Sequence, residues 1–209
     1  MTRKNTVHVR MAAILAAALS IAFASFARAA QVGSPAPDFH GTDSSGKTQS
    51  LDEYRGKFVV LEWHNHDCPY TIKHYESGNM ESLQNQWTAK GVVWLTVISS
   101  APGTQGYVDA SAENAYMKKM GAKPTAAILD PSGAIGHLYN AKTTPNMFII
   151  DPSGKLIYAG AIDDHPTTDV SDIPSSKNYV SEALTEAMAG QPVQTAYTRP
   201  YGCSVKYAR

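Results

Sequence analysis

The sequence predicts a single α/β domain, a sandwich of helices on a mixed central sheet. Three observations predict it. Phe58-Val59-Val60-Leu61-Glu62-Trp63 and Val92–Ile98 are nearly continuous apolar runs, the pattern of parallel strands covered on both faces. Stretches of helical spacing separate such runs. Two Asp-Pro-Ser-Gly turns, at 130–133 and 151–154, bound the later strands, and strand–helix–strand followed by helix–hairpin–helix closes as one layered core.

Gly33 to Lys57 is rich in Pro, Gly, Ser and Asp and suits an N-terminal hairpin turning at Ser44-Ser45-Gly46-Lys47. After the first apolar run, Cys68-Pro69 opens a helix, because proline at the first helical position gives up an N–H that has no partner there anyway. That helix is expected to break at Ser77-Gly78-Asn79 and restart with Asn79 as its cap, running to Lys90 before Gly91. The second strand, Val92–Ile98, leads through a Pro/Gly loop to a helix over about 110–120 and a strand over 125–129. A short helix to Tyr139 precedes a strand over 143–150, which the second Asp-Pro-Ser-Gly turn pairs with 155–159 as a hairpin. The stretch 162–176, with four aspartates, two prolines and a histidine, reads as a surface loop. A last helix spans 177–189, ended by Gly190-Gln191-Pro192, and a polar tail follows. The two turns are too little to make an internal repeat.

The first 29 residues read as an export signal. Arg3, Lys4 and Arg10 precede an apolar stretch from Met11 to Phe26, and Ala27-Arg28-Ala29 offers small residues to a signal peptidase. The apolar stretch is short for a membrane span. The expected organisation is a signal peptide at 1–29, one domain over 30–190, and a tail over 191–209 carrying Cys203. Localisation is then exported, and periplasmic if the source is a Gram-negative bacterium. The whole chain balances 18 Lys and Arg against 18 Asp and Glu. Without the leader, 14 basic residues face 18 acidic ones, which argues against nucleic acid or an anionic membrane as partner. Export also places the two cysteines, Cys68 and Cys203, where disulfides persist.

Four stretches carry a resemblance. Gly33-Ser34-Pro35-Ala36-Pro37-Asp38-Phe39, Tyr54-Arg55-Gly56-Lys57 before the first strand, Cys68-Pro69 at a helix start, and Thr144-Pro145 before Phe148-Ile149-Ile150-Asp151 occur in order over about 33–190. Together they resemble the thioredoxin-like fold, and within it the redoxin branch related to the alkyl hydroperoxide reductase and thiol-specific antioxidant family. The departures are definite. The second cysteine of a C-x-x-C motif would fall at Thr71, and Asn65 stands where a peroxidatic cysteine would have its threonine. The resemblance implies a thiol-dependent oxidoreductase, with a protein disulfide, small thiol or hydroperoxide as substrate and a thioredoxin-like partner as reductant. It implies no cofactor and no metal.

The residues allow the following chemistry. Cys68 at a helix N-terminus meets the positive end of the helix dipole and unpaired N–H groups, which favour thiolate. Glu62 interrupts a buried run, so desolvation is expected to raise its pKa and make it a proton carrier near neutrality; the resemblance places a buried acid there too. Thr71 is placed to hydrogen-bond the Cys68 sulfur from the next helical turn. By resemblance, Thr144-Pro145 forms a cis-proline bend beside the cysteine whose backbone clamps an extended substrate. His64, His66 and Cys68 alternate and would point one way along an extended segment, a set that suits copper or zinc, yet no further ligand is evident. Cys203 lies 13 positions past Gly190, on a tail long enough to cross the domain. It is therefore a candidate resolving thiol for Cys68. The sequence leaves open whether such a bond cycles or is a staple worth about 4–5 kcal/mol. It also leaves open a non-catalytic binding module on the same fold.

Overall fold

The computed structural model of the chain describes residues 29–208. The leader expected over 1–29 falls, but for Ala29, outside them. Among the described residues no helix is long and apolar enough to cross a membrane.

The chain first folds β1 (His40–Asp43) against β2 (Thr48–Ser50) as an antiparallel hairpin, and a 3-10 turn (Leu51–Tyr54) leads to β3 (Val59–Trp63). Asp43 shapes the hairpin turn, accepting from the amides of Ser45 (2.8 Å) and Lys47 (3.0 Å). All five residues of β3 are buried, so both faces of the strand are covered. It continues to α1 (Pro69–Glu76) and α2 (Asn79–Thr88), then β4 (Val93–Ile98), α3 (Ala110–Met120), β5 (Ala126–Leu129) and α4 (Ala134–Tyr139). The strand expected over 143–150 divides at Pro145 into β6 (Thr143–Thr144) and β7 (Asn146–Ile150), since proline cannot donate to a ladder. β8 (Leu156–Gly160), α5 (Tyr179–Met188) and β9 (Cys203–Ser204) complete the chain.

Seven strands form one sheet in the order β2-β1-β5-β4-β3-β7-β8. β3 pairs parallel with β4, and β4 with β5; β7 runs antiparallel to β3, and β8 to β7. Alternation along β3 divides the core. Val59, Leu61 and Trp63 join Phe39, Ile135, Tyr139 and Phe148 on one face. Val60 joins Tyr75, Leu83, Trp87, Trp94 and Leu184, from α1, α2, β4 and α5, on the other. Each such aliphatic side chain contributes about 1.5–3 kcal/mol by leaving water. Glu62, one pleat on from Val60, therefore points into the second apolar layer.

Two local expectations change. Gly78, in the left-handed region at φ 72°, caps α2 in place of Asn79, because the chain reverses there and glycine adopts that conformation freely. Asn79 instead donates from Nδ2 to His74 Nδ1 at 2.8 Å, as the first residue of the helix. The stretch 162–176 is only partly a surface loop. Ile162 and Asp163 are buried, 170–175 forms a 3-10 helix, and the buried Lys73 ammonium ties the segment to α1 through the His165 carbonyl at 3.0 Å.

The tail is ordered. Ala196 and Thr198 pair along β8, with Ala159 N–H to Ala196 O at 3.1 Å and Thr198 N–H to Ala159 O at 3.2 Å, so an exposed sheet edge is covered. The chain then crosses to β6, where Thr143 pairs with Ser204 and Thr144 with Cys203, antiparallel.

Candidate redox site

Cys68 is the N-cap of α1, with extended backbone and Pro69 at N1. Its side chain is fully buried. As a thiol it donates to the Thr144 carbonyl at 3.0 Å, and the Thr144–Pro145 peptide is cis. The β6–β9 pairing sets Cys203 opposite Thr144, so the two sulfurs are hydrogen-bonding neighbours. Both cysteines are free. The structure thus brings Cys68, Cys203, Thr71, Thr144 and Pro145 into one place.

The two thiols titrate in opposite directions. Burial pushes the Cys68 thiol up, but donation from Cys203, from Thr144 and from the Thr71 amide outweighs it and leaves its pKa below the ordinary value. Cys203 is pushed up to about 11 by burial and by the Cys68 thiolate that it hydrogen-bonds, against a smaller opposing pull from Lys206. The pair is therefore a thiolate with a thiol donor. Thr71 contributes its N–H, one of the orphan donors of the first helical turn. Its hydroxyl, expected to hold the sulfur, is buried without a hydrogen-bond partner. The Thr144 hydroxyl is likewise buried and unpartnered, available to the sulfur when it ionises.

Glu62 departs from expectation in its electrostatics. Burial alone would raise its pKa, but His64 lies 3.7 Å away and four donors converge on the carboxylate. They are the Tyr75 hydroxyl (2.8 Å), Trp94 Nε1 (2.8 Å), Thr96 Oγ1 (3.2 Å) and Gln84 Nε2 (3.3 Å). Together these hold the carboxyl below its usual range. Hydrogen bonds to the ionised form defeat the desolvation that the sequence suggested would win, so Glu62 is a fixed charge and not a group poised near neutrality.

His64 is the residue that sequence reasoning undervalued. It lies on the same side of the strand as Glu62, fully buried, between Tyr75 (ring centroids 4.9 Å) and Tyr116 (5.3 Å). Neither ring nitrogen has a hydrogen-bond partner. Burial opposes its charge, but Glu62, Glu113 and Cys68 all raise its pKa. The period-two alternation Glu62/His64 was the available signal. His66 flanks Tyr116 at 5.6 Å, yet among the described residues no three His, Cys, Asp or Glu side chains gather to hold a metal. Tyr201 was also missed: its hydroxyl donates to buried Asp163 and lies 3.3 Å from His74 Nε2.

Two adjacent free thiols, one at a helix N-terminus facing a cis-proline peptide, on this mixed sheet, define a protein of the thioredoxin-like fold. Residues 32–159 match the AhpC/TSA family model, and the chain belongs to that family. Among solved structures, a hypothetical protein from Sinorhizobium meliloti is similar at 20% identity and TM-score 0.72, covering 87% of this chain and 97% of its own. An uncharacterized conserved protein from Geobacillus kaustophilus is similar at 22% and 0.72, covering 85% and 93%. A putative thiol:disulfide interchange protein DsbE from Chlorobium tepidum is similar at 24% and 0.52, covering 63% and 85%. These likenesses show the fold. No curated protein matches the sequence.

Proposed function

We propose that the chain is an exported thiol–disulfide oxidoreductase in which Cys68 is the nucleophile and Cys203 the resolving thiol. The observation that carries this reading is geometric: the β6–β9 pairing sets the free Cys203 opposite Thr144, whose carbonyl accepts from the free Cys68 at 3.0 Å, so the two sulfurs adjoin. The Cys68 thiolate attacks a substrate disulfide, one sulfur of which leaves as a thiol. Cys203 then attacks Cys68, closing the 68–203 disulfide and releasing the second substrate sulfur. With a hydroperoxide, Cys68 would become a sulfenic acid and the alcohol would leave; condensation with Cys203 would release water. A thioredoxin-like dithiol returns the pair to its reduced form.

In this reading Thr144 and Pro145 form the substrate edge, and the Thr71 N–H supports the thiolate. Glu62 acts as a fixed counter-charge for His64, whose pKa Glu62, Glu113 and Cys68 all raise, and His64 is read as the group that exchanges the proton. The mature chain would begin near Ala30, with 30–190 as the catalytic domain and 191–209 as a tail delivering Cys203.

Turnover of a chromogenic disulfide and of hydrogen peroxide by wild type, Cys68→Ser and Cys203→Ser, with a dithiol reductant, tests the reading. Loss with the first variant and trapping of a mixed disulfide with the second is expected. Unchanged turnover in Cys68→Ser would remove the proposal.

A further inference from the structure

The Thr143–Thr144 edge, which an extended substrate would use, is already paired. The tail lies on it as a strand, with a cysteine opposite Thr144 and above Cys68. Anchors stand on both sides. On one, the Tyr201 hydroxyl donates to Asp163 and the ring meets Tyr70 at 5.8 Å. On the other, the Val205 N–H donates to the Lys142 carbonyl at 3.0 Å and the Ala101 N–H to Lys206 O at 2.8 Å. Tyr207 stacks on His137 at 4.0 Å and donates to the Ala141 carbonyl at 2.8 Å. The fit at the centre is close. A Cβ built on Gly202, at φ +127°, would lie 2.1 Å from the Thr144 carbonyl oxygen. An extended segment that adds to a sheet edge by main-chain bonds is the strand-addition mode of peptide recognition.

We propose, resting on the redox reading above, that residues 200–207 are an intramolecular pseudo-substrate. The Thr143–Thr144 edge binds an extended polypeptide whose cysteine follows a glycine, and the tail seals Cys68 until such a chain displaces it. The tail's contacts are individually modest, about 1 kcal/mol each, so a competing strand can exchange with them. Once the tail lifts, the Cys68 thiolate attacks a sulfur of the incoming disulfide; that S–S bond breaks and the departing thiolate takes a proton. When the tail returns, Cys203 loses its proton and attacks the Cys68 sulfur. The 68–203 disulfide forms and the bound peptide leaves as a thiol. One substrate disulfide is reduced and one protein dithiol oxidised, and an external dithiol reverses the oxidation.

The test uses the full chain with Cys203→Ser, which keeps the strap and leaves one thiol. Gly202→Val is then added to unseat the strap by its clash with Thr144. Iodoacetamide should alkylate Cys68 at least about tenfold faster in the double variant, the factor that about 1.4 kcal/mol of lost contacts gives. The disulfide-linked dimer of a Pro-Tyr-Gly-Cys-Ser-Val-Lys peptide should form an adduct with the double variant far faster than with Cys203→Ser. A peptide with valine before its cysteine should react at least about tenfold slower than the glycine peptide by the same arithmetic. Equal alkylation rates with and without Gly202→Val would overturn the strap, and equal rates for the two peptides would overturn the glycine requirement. Should the double variant fail to fold by circular dichroism, hydrogen exchange on wild type decides. The Val205 amide should open as often as Cys68 becomes alkylated, and rapid alkylation beneath a protected Val205 amide overturns the proposal. Failure of the redox reading is separate: wild type would consume no disulfide or peroxide although unsealed Cys68 alkylates.

Discussion

Cys68 and Cys203 carry the same side chain and lie side by side, yet their surroundings push them in opposite directions. Cys68 sits at the mouth of a helix after the central strand, where donation from Cys203, Thr144 and the Thr71 N–H outweighs the cost of complete burial. Cys203 stands on a two-residue strand near the chain end, partly exposed, and the nearest charge it feels most is the Cys68 thiolate itself. The difference belongs to the positions and not to the thiols. The tail strand brings Cys203 in as a donor, and the helix N-terminus adds a fixed amide from Thr71.

The largest effect should come from breaking one side of this comparison. Cys68→Ser should lower disulfide or peroxide turnover by on the order of a thousandfold, since the proposed nucleophile is gone. Cys203→Ser should instead leave the first attack intact and stall at a mixed disulfide visible by mass.

Next is the buried charge of Glu62, on the strand that leads into the Cys68 loop. Glu62→Gln removes the carboxylate facing His64 and should cost about 3 kcal/mol or more in urea denaturation at neutral pH. Its sign with pH follows from the shift. Because the folded pKa of Glu62 is depressed, its contribution is present above the unfolded value and is lost as pH falls through the folded one. Wild type and variant should therefore converge in stability as the solution is acidified; a constant gap would contradict the assignment.

His74 tests the strap that holds Cys203. Burial holds it down to about 4, although Asp163 pulls the other way. The unfolded chain thus binds a proton between about 6.5 and 4 that the folded chain refuses, so stability falls as pH falls through that window. His74→Gln should remove roughly 3 kcal/mol of that pH dependence in thermal or urea unfolding. An unaltered slope would show that His74 takes up its proton as readily in the fold as in the unfolded chain.

The smallest effect sharpens the comparison itself. Alkylation of the two cysteines of wild type, separated by peptide mapping, should show Cys68 titrating below an ordinary thiol and Cys203 near 11. Midpoints in the reverse order would dissolve the assignment of nucleophile and resolver.

Most of the frame was legible in residues. Phe58–Trp63 and Val92–Ile98 read as covered strands, and both are, within one residue of the expected starts. The helix over 110–120 begins after Asp109, whose side chain accepts from the Ala112 N–H at 2.8 Å, and ends at Gly121, local signals that need no tertiary partner. Less was legible at the site. The residue types at Cys68, Thr144 and Pro145 marked their region, but whether Glu62 is held ionised depends on Tyr75, Gln84, Trp94 and Thr96, which no local pattern ties to it.

The sequence by itself determined the alternation of strands and helices, the helix mouth at Cys68-Pro69, and the burial of an acid in a covered strand. These follow from periodicity, proline geometry and capping, which act over a few residues. Tertiary structure decided the ionisation of Glu62, the burial of His64 between Tyr75 and Tyr116, and the seating of Cys203 on Thr144. Each of these depends on groups brought together across tens to more than a hundred positions, where donors, charges and strand edges meet only after the sheet has closed.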